Sequence, residues 1–302
     1  MISICLAKFV TNSPWGNVMT DNFSKALASY KNKISVDIIE GYPIKKYDVI
    51  IMIGIRSIVK KGLDPKKILP FCNKLIDMGD SAMDPRKNYE HLYFYFVPSK
   101  NKLHSHYVYL PKFINADNLF PEKYNDNKLT LYVDHFKYQN EKERDSSINA
   151  INKIFFSIKK SKIPLRVFYH TSKGIELNRL TPEITETKSQ IAKYLPFHEI
   201  AKYYRKTDIF LPTHRETQGM VAQEIAACGG VTVLQPWMYP KNTHSQFAHI
   251  YYNQSDEIDF SAIKDSLKKT PLTIIREHTL KRCGFENFQS TLYNSIIKLM
   301  KT

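Results

Sequence analysis

Two sets of short apolar runs, separated by helical stretches, follow one another along the 302 residues, and the pattern restarts in mid-chain. In the first set Ile2–Leu6, Ser35–Ile39, Asp48–Ile53, Lys74–Met78, Tyr93–Val97 and Tyr107–Leu110 read as strands. Helical stretches fall over Val18–Tyr30 and near Asp64–Phe71, and Asn12 to Gly16 reads as a loop with turn chemistry. In the second set Leu129–Val133, Leu165–Tyr169, Ile209–Pro212 and Val231–Leu234 read as strands. Helices are expected over Asp145–Lys159, His198–Tyr204, Met220–Cys228 and Phe285–Met300. Strands separated by helices imply βαβ units and a parallel sheet. The polar stretch Lys112–Asn127, with Pro121 inside it and Pro111 just before, reads as a linker. The fold class predicted is therefore α/β, two Rossmann-like domains facing across a cleft. The expected bounds are 1–115 and 116–284, with a helix at 285–302 crossing back to the first domain. No repeat of solenoid length is present.

Ligands of open α/β sheets bind beyond the carboxyl ends of the strands. That directs attention to the loops after Leu6, Ile53, Met78, Val133 and Pro212. Charge narrows the ligand class. The chain has 44 Lys+Arg against 29 Asp+Glu, a net +15, and a hydrophobic content of 43%. These values exclude a disordered or fibrous chain and point to an anionic partner or to a coding bias toward Lys, Asn, Ile and Tyr. The basic excess is spread over both halves, so there is no basic arm. Cys5, Cys72, Cys228 and Cys283 form no C-x-x-C pair and match no zinc spacing. With no signal-peptide pattern, they read as reduced thiols of a cytoplasmic protein. The longest apolar run, Val49 to Ile55, is too short to span a bilayer.

The most informative stretch runs from Leu211 to Leu234, LPTHRETQGMVAQEIAACGGVTVL. A strand ends at Pro212, a polar loop carries His214, Glu216, Gln218 and Gly219, a helix starts at Gly219 or Met220, and Gly229-Gly230 stops it. A helix N-terminus presents free N–H groups and partial positive charge, which suits an anion or a hydroxyl oxygen. Gly219 would allow close approach to the backbone. Glu216 lies in the loop beside that terminus, where a carboxylate can accept hydrogen bonds from sugar hydroxyls. Glu224 lies just past the first turn of a helix otherwise filled with Ala, Val and Ile. A carboxylate there is costly unless paired or exposed, and facing a cleft it would accept both hydroxyls of a ribose.

This stretch resembles the nucleotide-sugar site of GT-B glycosyltransferases, closest to the retaining family-four type, whose signature places two Glu with seven residues between them. Here those are Glu216 and Glu224. The resemblance implies that Glu216 contacts the transferred sugar. It further implies that Gly219, Met220 and Val221 offer backbone N–H groups and that Glu224 holds the ribose, with His214 and Gln218 beside them. The segment Tyr109 to Pro121 resembles the family's interdomain segment, retaining Pro111, Asp117, Phe120 and Pro121. Phe197 to Leu211 resembles the segment leading into the motif. The likeness spans most of the chain and is specific over about residues 195–235. It implies an acceptor domain at 1–115, a nucleotide-sugar domain at 116–284, a UDP-sugar donor, no cofactor and no bound metal.

Some of the family's features are missing. The expected Gly-Arg after the first strand of the second domain is replaced by Asp134-His135, so the diphosphate falls to Lys137, Lys142 or Arg144, none of which aligns securely. Of these, Lys137 and Arg144 are the candidates. Only Gly16 stands in the loop after the first strand. No His follows the fourth strand, leaving Asp80 and Asp84 as its polar groups, and Asp80 would be the general base that an inverting reaction needs.

The expectation is a hexosyltransferase. For its acceptor, the positive charge together with Lys60 and Lys61 near the cleft favours double-stranded DNA carrying hydroxymethylated pyrimidines, the substrate class of phage-type DNA glucosyltransferases. A cell-envelope or lipid-linked glycan is the alternative acceptor. A non-enzymatic basic nucleic-acid binder is the alternative of another class. Oligomeric state is unspecified by the sequence.

Overall fold

A computed structural model of the chain describes all residues except 10–13, 54–63, 79–92, 98–106, 112, 134–140, 161, 171–187, 192–194, 213–218, 235–248, 252–258 and 302. The chain divides into two compact units, Met1–Phe113 with Phe285–Thr302, and Ile114–Gly284.

The first unit opens with β1 (Ile2–Lys8), α1 (Pro14–Ala28), β2 (Ile34–Glu40) and β3 (Tyr47–Ile53). A 3₁₀ helix (Pro65–Phe71), β4 (Cys72–Asp77), β5 (Tyr93–Val97) and β6 (Tyr107–Tyr109) follow. Its sheet has the order β2-β1-β3-β4-β5-β6, every pair parallel. The second unit holds β7 (Leu129–Val133), α2 (Glu141–Lys160), β8 (Leu165–His170), β9 (Lys188–Ile191), α3 (Phe197–Lys206) and β10 (Ile209–Leu211). It continues with α4 (Met220–Ala227), β11 (Val231–Leu234), β12 (His249–Tyr251), α5 (Phe260–Lys269) and α6 (Leu272–Cys283). Its order is β12-β11-β10-β7-β8-β9, again all parallel. The last helix, α7 (Phe285–Met300), belongs to the first unit.

Parallel strands buried on both faces are continuous apolar runs rather than alternating ones. β3 shows this: Val49 to Ile53 are all fully buried. In the first unit one sheet face is covered by Met19, Phe23, Ala26 and Leu27 of α1 and by Phe288, Leu292, Ile296 and Leu299 of α7. Phe23 and Phe288 meet edge to face, with centroids 5.4 Å apart at 88°. The other face packs Cys5, Ala7, Ile50, Met52 and Leu75 with Ile68 of the 3₁₀ helix. In the second unit the two faces carry separate clusters. Leu131, Val133, Ile209 and Leu211 pack with Phe260 and Ile275 on one side. Tyr132 and Phe210 pack with Tyr204, Ala222 and Ile225 on the other.

Three expectations change. The helix placed near Asp64–Phe71 is a 3₁₀ helix, because Pro65 and Pro70 lack the N–H groups that a regular α-helix uses. Asn12 to Gly16 was read as a loop, but α1 begins at Pro14, with proline in the first helical position, where its missing N–H costs nothing. Gly16 therefore lies in the first turn of α1, where its carbonyl accepts a hydrogen bond from Thr20 Oγ1 at 2.8 Å.

The stretch read as a linker is packed against the second unit. Ile114 and Leu119 are buried there. Ile114 N–H donates to Cys283 O at 3.1 Å, and Glu122 N–H donates to Arg205 O at 3.1 Å. The Glu122 carboxylate also pairs with Arg205 Nε at 3.1 Å. Lys123 donates to the Thr207 carbonyl and Arg276 to the Leu119 carbonyl. A polar sequence thus forms a strap held by its backbone and by long cations. No helix among the described residues is long and apolar enough to cross a membrane.

Candidate functional site

The strand orders identify the ligand-binding end of each unit. In the second sheet the chain starts at β7 and builds outward, first through β8 and β9 on one side, then through β10, β11 and β12 on the other. The direction reverses between β7 and β10, which pair directly, Val133 opposite Leu211. A crevice outside the carboxyl ends of those two strands is the topological switch point. The segment after β10 leads into α4, the helix of the motif at 211–234. In the first unit the reversal lies between β1 and β3.

The start of α4 is set by Gly219. Its φ and ψ are 54° and 88°, in the left-handed region, and no side chain caps the helix there. A side chain at that φ would be strained. Gly219 has no side chain to cap the helix, so among the described residues none caps the first-turn N–H groups, the kind of donors that bind anions and hydroxyl oxygens. Met220 and Val221, half-buried, supply the first two. α4 is apolar nearly all round and is enclosed accordingly: Ala222, Ile225, Ala226 and Ala227 are at most 2% exposed.

Its far end is closed by Arg276 of α6, whose Nη1 donates to Ala227 O at 2.6 Å. A cation on the last turn complements the helix dipole, so the two ends of α4 differ: Arg276 caps the carboxyl end, and no side chain among the described residues caps the amino end. Gly229, at φ 76°, and Gly230 make this packing possible. A Cβ on Gly229 would stand 2.8 Å from Leu272 Cβ, and one on Gly230 would stand 2.6 Å from Ile225 Cγ2 and 2.8 Å from Thr207 O.

Glu224 lies one turn into α4 and is only 7% exposed. Its carboxylate is one of the charges acting on Cys228, whose thiol burial pushes up to about 12. Cys5, Cys72 and Cys283 are raised to about 12 in the same way, chiefly by burial, so all four cysteines stay protonated thiols at neutral pH.

Of the residues expected at the site, the structure brings Gly219, Met220, Val221 and Glu224 together on the first turns of α4. Glu216, His214, Gln218, Lys137, Asp80, Lys60 and Lys61 lie outside the described residues. Arg144 is the fourth residue of α2, the helix that follows β7, and its side chain lies outside the described part. Gly16 is buried in the first turn of α1, which follows β1.

Two residues that the sequence did not single out stand at carboxyl ends in the first unit. Asp77 closes β4 and is 5% exposed; Lys8 closes β1, is 9% exposed, and pairs with Glu40 at 3.2 Å. Both sit in apolar runs, where a single charged residue at a strand end was the available signal. No cluster of three or more His, Cys, Asp or Glu suited to a metal occurs among the described residues.

Solved structures share this architecture over the whole chain. Sucrose-phosphate synthase (tll1590) from Thermosynechococcus elongatus superposes with a TM-score of 0.65 at 12% identity, covering 100% of each chain. The Anabaena protein Alr3699/HepE, solved in complex with UDP and glucose, gives 0.63 at 11% identity over 99% of this chain and 100% of its own. AviGT4, a glycosyltransferase involved in avilamycin A biosynthesis, gives 0.62 at 10% identity over 100% and 98%. The fold is GT-B. No family model and no curated protein sequence matches the chain.

Proposed function

We propose that this protein is a glycosyltransferase that moves a hexose from a nucleotide diphosphate sugar to an acceptor hydroxyl. The observation that supports the proposal is the position of α4, the helix that carries Glu224: it begins at a left-handed glycine that follows the switch-point strand of the second sheet. The uncapped N–H groups of Met220 and Val221 would donate to the sugar hydroxyls or to the diphosphate. Glu224 would accept from the ribose hydroxyls. Glu216, eight residues earlier, would accept from the hexose. Lys137 and Arg144, which follow β7 in sequence, would balance the diphosphate charge. A uridine nucleotide is supported by the UDP bound in the Anabaena structure. In this reading the second unit is the donor domain, and the first supplies the acceptor, with Asp80 as the proton acceptor if the reaction inverts the anomeric centre. Four cysteines with no disulfide between them suit a reducing compartment such as the cytoplasm.

For the acceptor, the net charge of +15 supports hydroxymethylated pyrimidines in duplex DNA. Mass spectrometry of hydroxymethylcytosine DNA incubated with the enzyme and mixed nucleotide sugars tests this; a hexose increment is expected, and its absence removes DNA as the acceptor. An envelope or lipid-linked glycan is the second reading. It is favoured by the basic, aromatic-bearing end of α2, where Phe156 stands out among lysines. The donor reading is tested separately by thermal shift with UDP, for which stabilisation is expected. A protein stabilised by DNA and not by UDP would instead be a nucleic-acid binder.

A further inference from the structure

We infer that the free edge of β2, in the first unit, is the interface through which two copies of this chain pair, strand against antiparallel strand, about a two-fold axis at Val36. The first observation is the length of that edge. Among the described residues the two sheets end in β2, β6, β9 and β12. β6 and β12 have three residues each and β9 has four, which is short enough to offer a partner little. β2 has seven, Ile34–Glu40, in unbroken register with β1.

The second observation is that β2 lacks the devices that keep an edge solitary: it contains no lysine, no proline and no bulge. Its two acids are engaged within their own unit. Asp37 Oδ2 pairs with Lys45 at 2.8 Å and accepts from the Tyr47 hydroxyl at 2.9 Å, and Glu40 pairs with Lys8 at 3.2 Å. Ile38, by contrast, is 50% exposed.

The third observation is the direction of the backbone groups. Ile2 N–H donates to Lys33 O at 2.8 Å, and Gly41 N–H donates to Lys8 O at 3.0 Å. Successive residues of a strand turn their backbone groups to opposite sides. The odd-numbered residues of β2 therefore face β1, and Ile34, Val36, Ile38 and Glu40 face the free edge. Ile34 N–H is taken by Tyr30 O at 2.9 Å. The centre of the edge thus offers the N–H groups of Val36 and Ile38 and the carbonyls of Ile34 and Val36.

These groups fit a second copy in one register. A two-fold axis perpendicular to the sheet continues it with each face on the same side, so opposed residues are both even or both odd. An axis at Val36 sets Val36 against Val36, Ile34 against Ile38 and Ser35 against Asp37. Val36 N–H then donates to Val36 O of the second copy, and Ile38 N–H to Ile34 O, while the occupied N–H of Ile34 is not called on. Aliphatic side chains meet on one face, and on the other the Ser35 hydroxyl stands beside the Asp37 carboxylate. An axis at Asp37 would oppose two carboxylates, and one at Ile38 would set Glu40 against Val36. The strand is complementary to itself, which is why a second copy is the occupant.

The inference does not depend on donor chemistry, so its test contains no nucleotide sugar. Full-length protein is followed by sedimentation equilibrium over about 1–200 µM, because a single strand pair lies at the small end of specific interfaces and its dimer should depend on concentration. Wild type should move from monomer toward dimer mass. Ile38→Lys, which places a lysine on the exposed edge, should weaken the dimer by about tenfold or more, with unchanged circular dichroism and melting temperature. Oxidative cross-linking reads the register. Opposed residues outside the hydrogen-bonded pairs have Cα atoms about 4.5 Å apart, within disulfide reach. Ser35→Cys mixed with Asp37→Cys should therefore form a covalent dimer that neither variant, nor wild type, forms alone. A wild type that stays monomeric at the highest concentration would overturn the proposal. So would a dimer that Ile38→Lys leaves intact, or cross-linking of either cysteine variant alone as efficient as that of the mixture.

Discussion

Gly219 and Glu224 carry most of the chemical argument, and each predicts a separable effect. Gly219→Ala keeps a small side chain but places a Cβ at φ 54°. The variant should lose about 1–2 kcal/mol of stability and bind UDP more weakly, because relaxation of that residue re-aims the first N–H groups of α4. Paired titration and chemical unfolding check both effects. Glu224→Ala places the strongest helix former in α4, and circular dichroism should show the helical fold retained. With two hydrogen bonds to a charged acceptor lost at about 1.5–3 kcal/mol each, kcat/KM for the nucleotide sugar should fall by about 100-fold or more. An activity within twofold of wild type would remove Glu224 from the ribose. Lys123 gives a prediction on pH. Burial lowers its ammonium from the usual 10.5 to about 8, with Asp208 opposing the shift. Between about 8 and 10.5 the unfolded chain binds more protons at this residue than the folded one does, so its contribution to stability rises with pH over that window. Lys123→Met should abolish this rise, measured as the difference between the two proteins' unfolding free energies across pH 7.5–10.5.

At the scale of elements, α4 is a short helix held at one end and open at the other. Arg276→Gln should release the Ala227 carbonyl and the strap carbonyl of Leu119 together. A drop in melting temperature without loss of UDP affinity is expected, since the change lies at the end of α4 remote from Gly219. The elements clearest in the sequence are those rich in buried apolar residues. β1, β3, β7 and β11 are mostly apolar, with Ser3, Asp48, Thr130 and Thr232 as polar interruptions, and α7 has a clear apolar stripe at Phe288, Leu292, Ile296 and Leu299. β9 and β12 escaped notice because Lys188-Ser-Gln-Ile191 and His249-Ile-Tyr251 are edge strands with little to bury. α5 and α6 were missed because their apolar residues are interleaved with Lys, Arg and His. The strap at 114–124 was misread for a related reason: its anchors are backbone groups and the carbonyls that Lys123 and Arg276 reach, and a sequence pattern does not display these. Of the candidate site, the strand before Gly219 and the helix after it were legible. Buried Asp77 and Lys8 were not, since each is a single charge at the end of an apolar strand.

The whole molecule is two parallel-sheet units with the last helix returned to the first. Phe288→Ala, which empties the contact with Phe23 on the buried face of the first unit, should cost about 3–5 kcal/mol. Because α7 belongs to the first unit, the loss should appear in a first unfolding transition that UDP does not shift, while a second, UDP-shifted transition reports the donor unit. Calorimetry with and without UDP separates them. The central claim is that a nucleotide sugar binds at the switch point of the second unit, on the amino end of α4. Hydrogen–deuterium exchange with and without UDP tests it most directly. The account predicts slowed exchange at Met220–Gln223 and in the segments following Val133 and Leu211, with the effect lost in Glu224→Ala. Protection confined to residues 1–113, or no protection at saturating UDP, would contradict it.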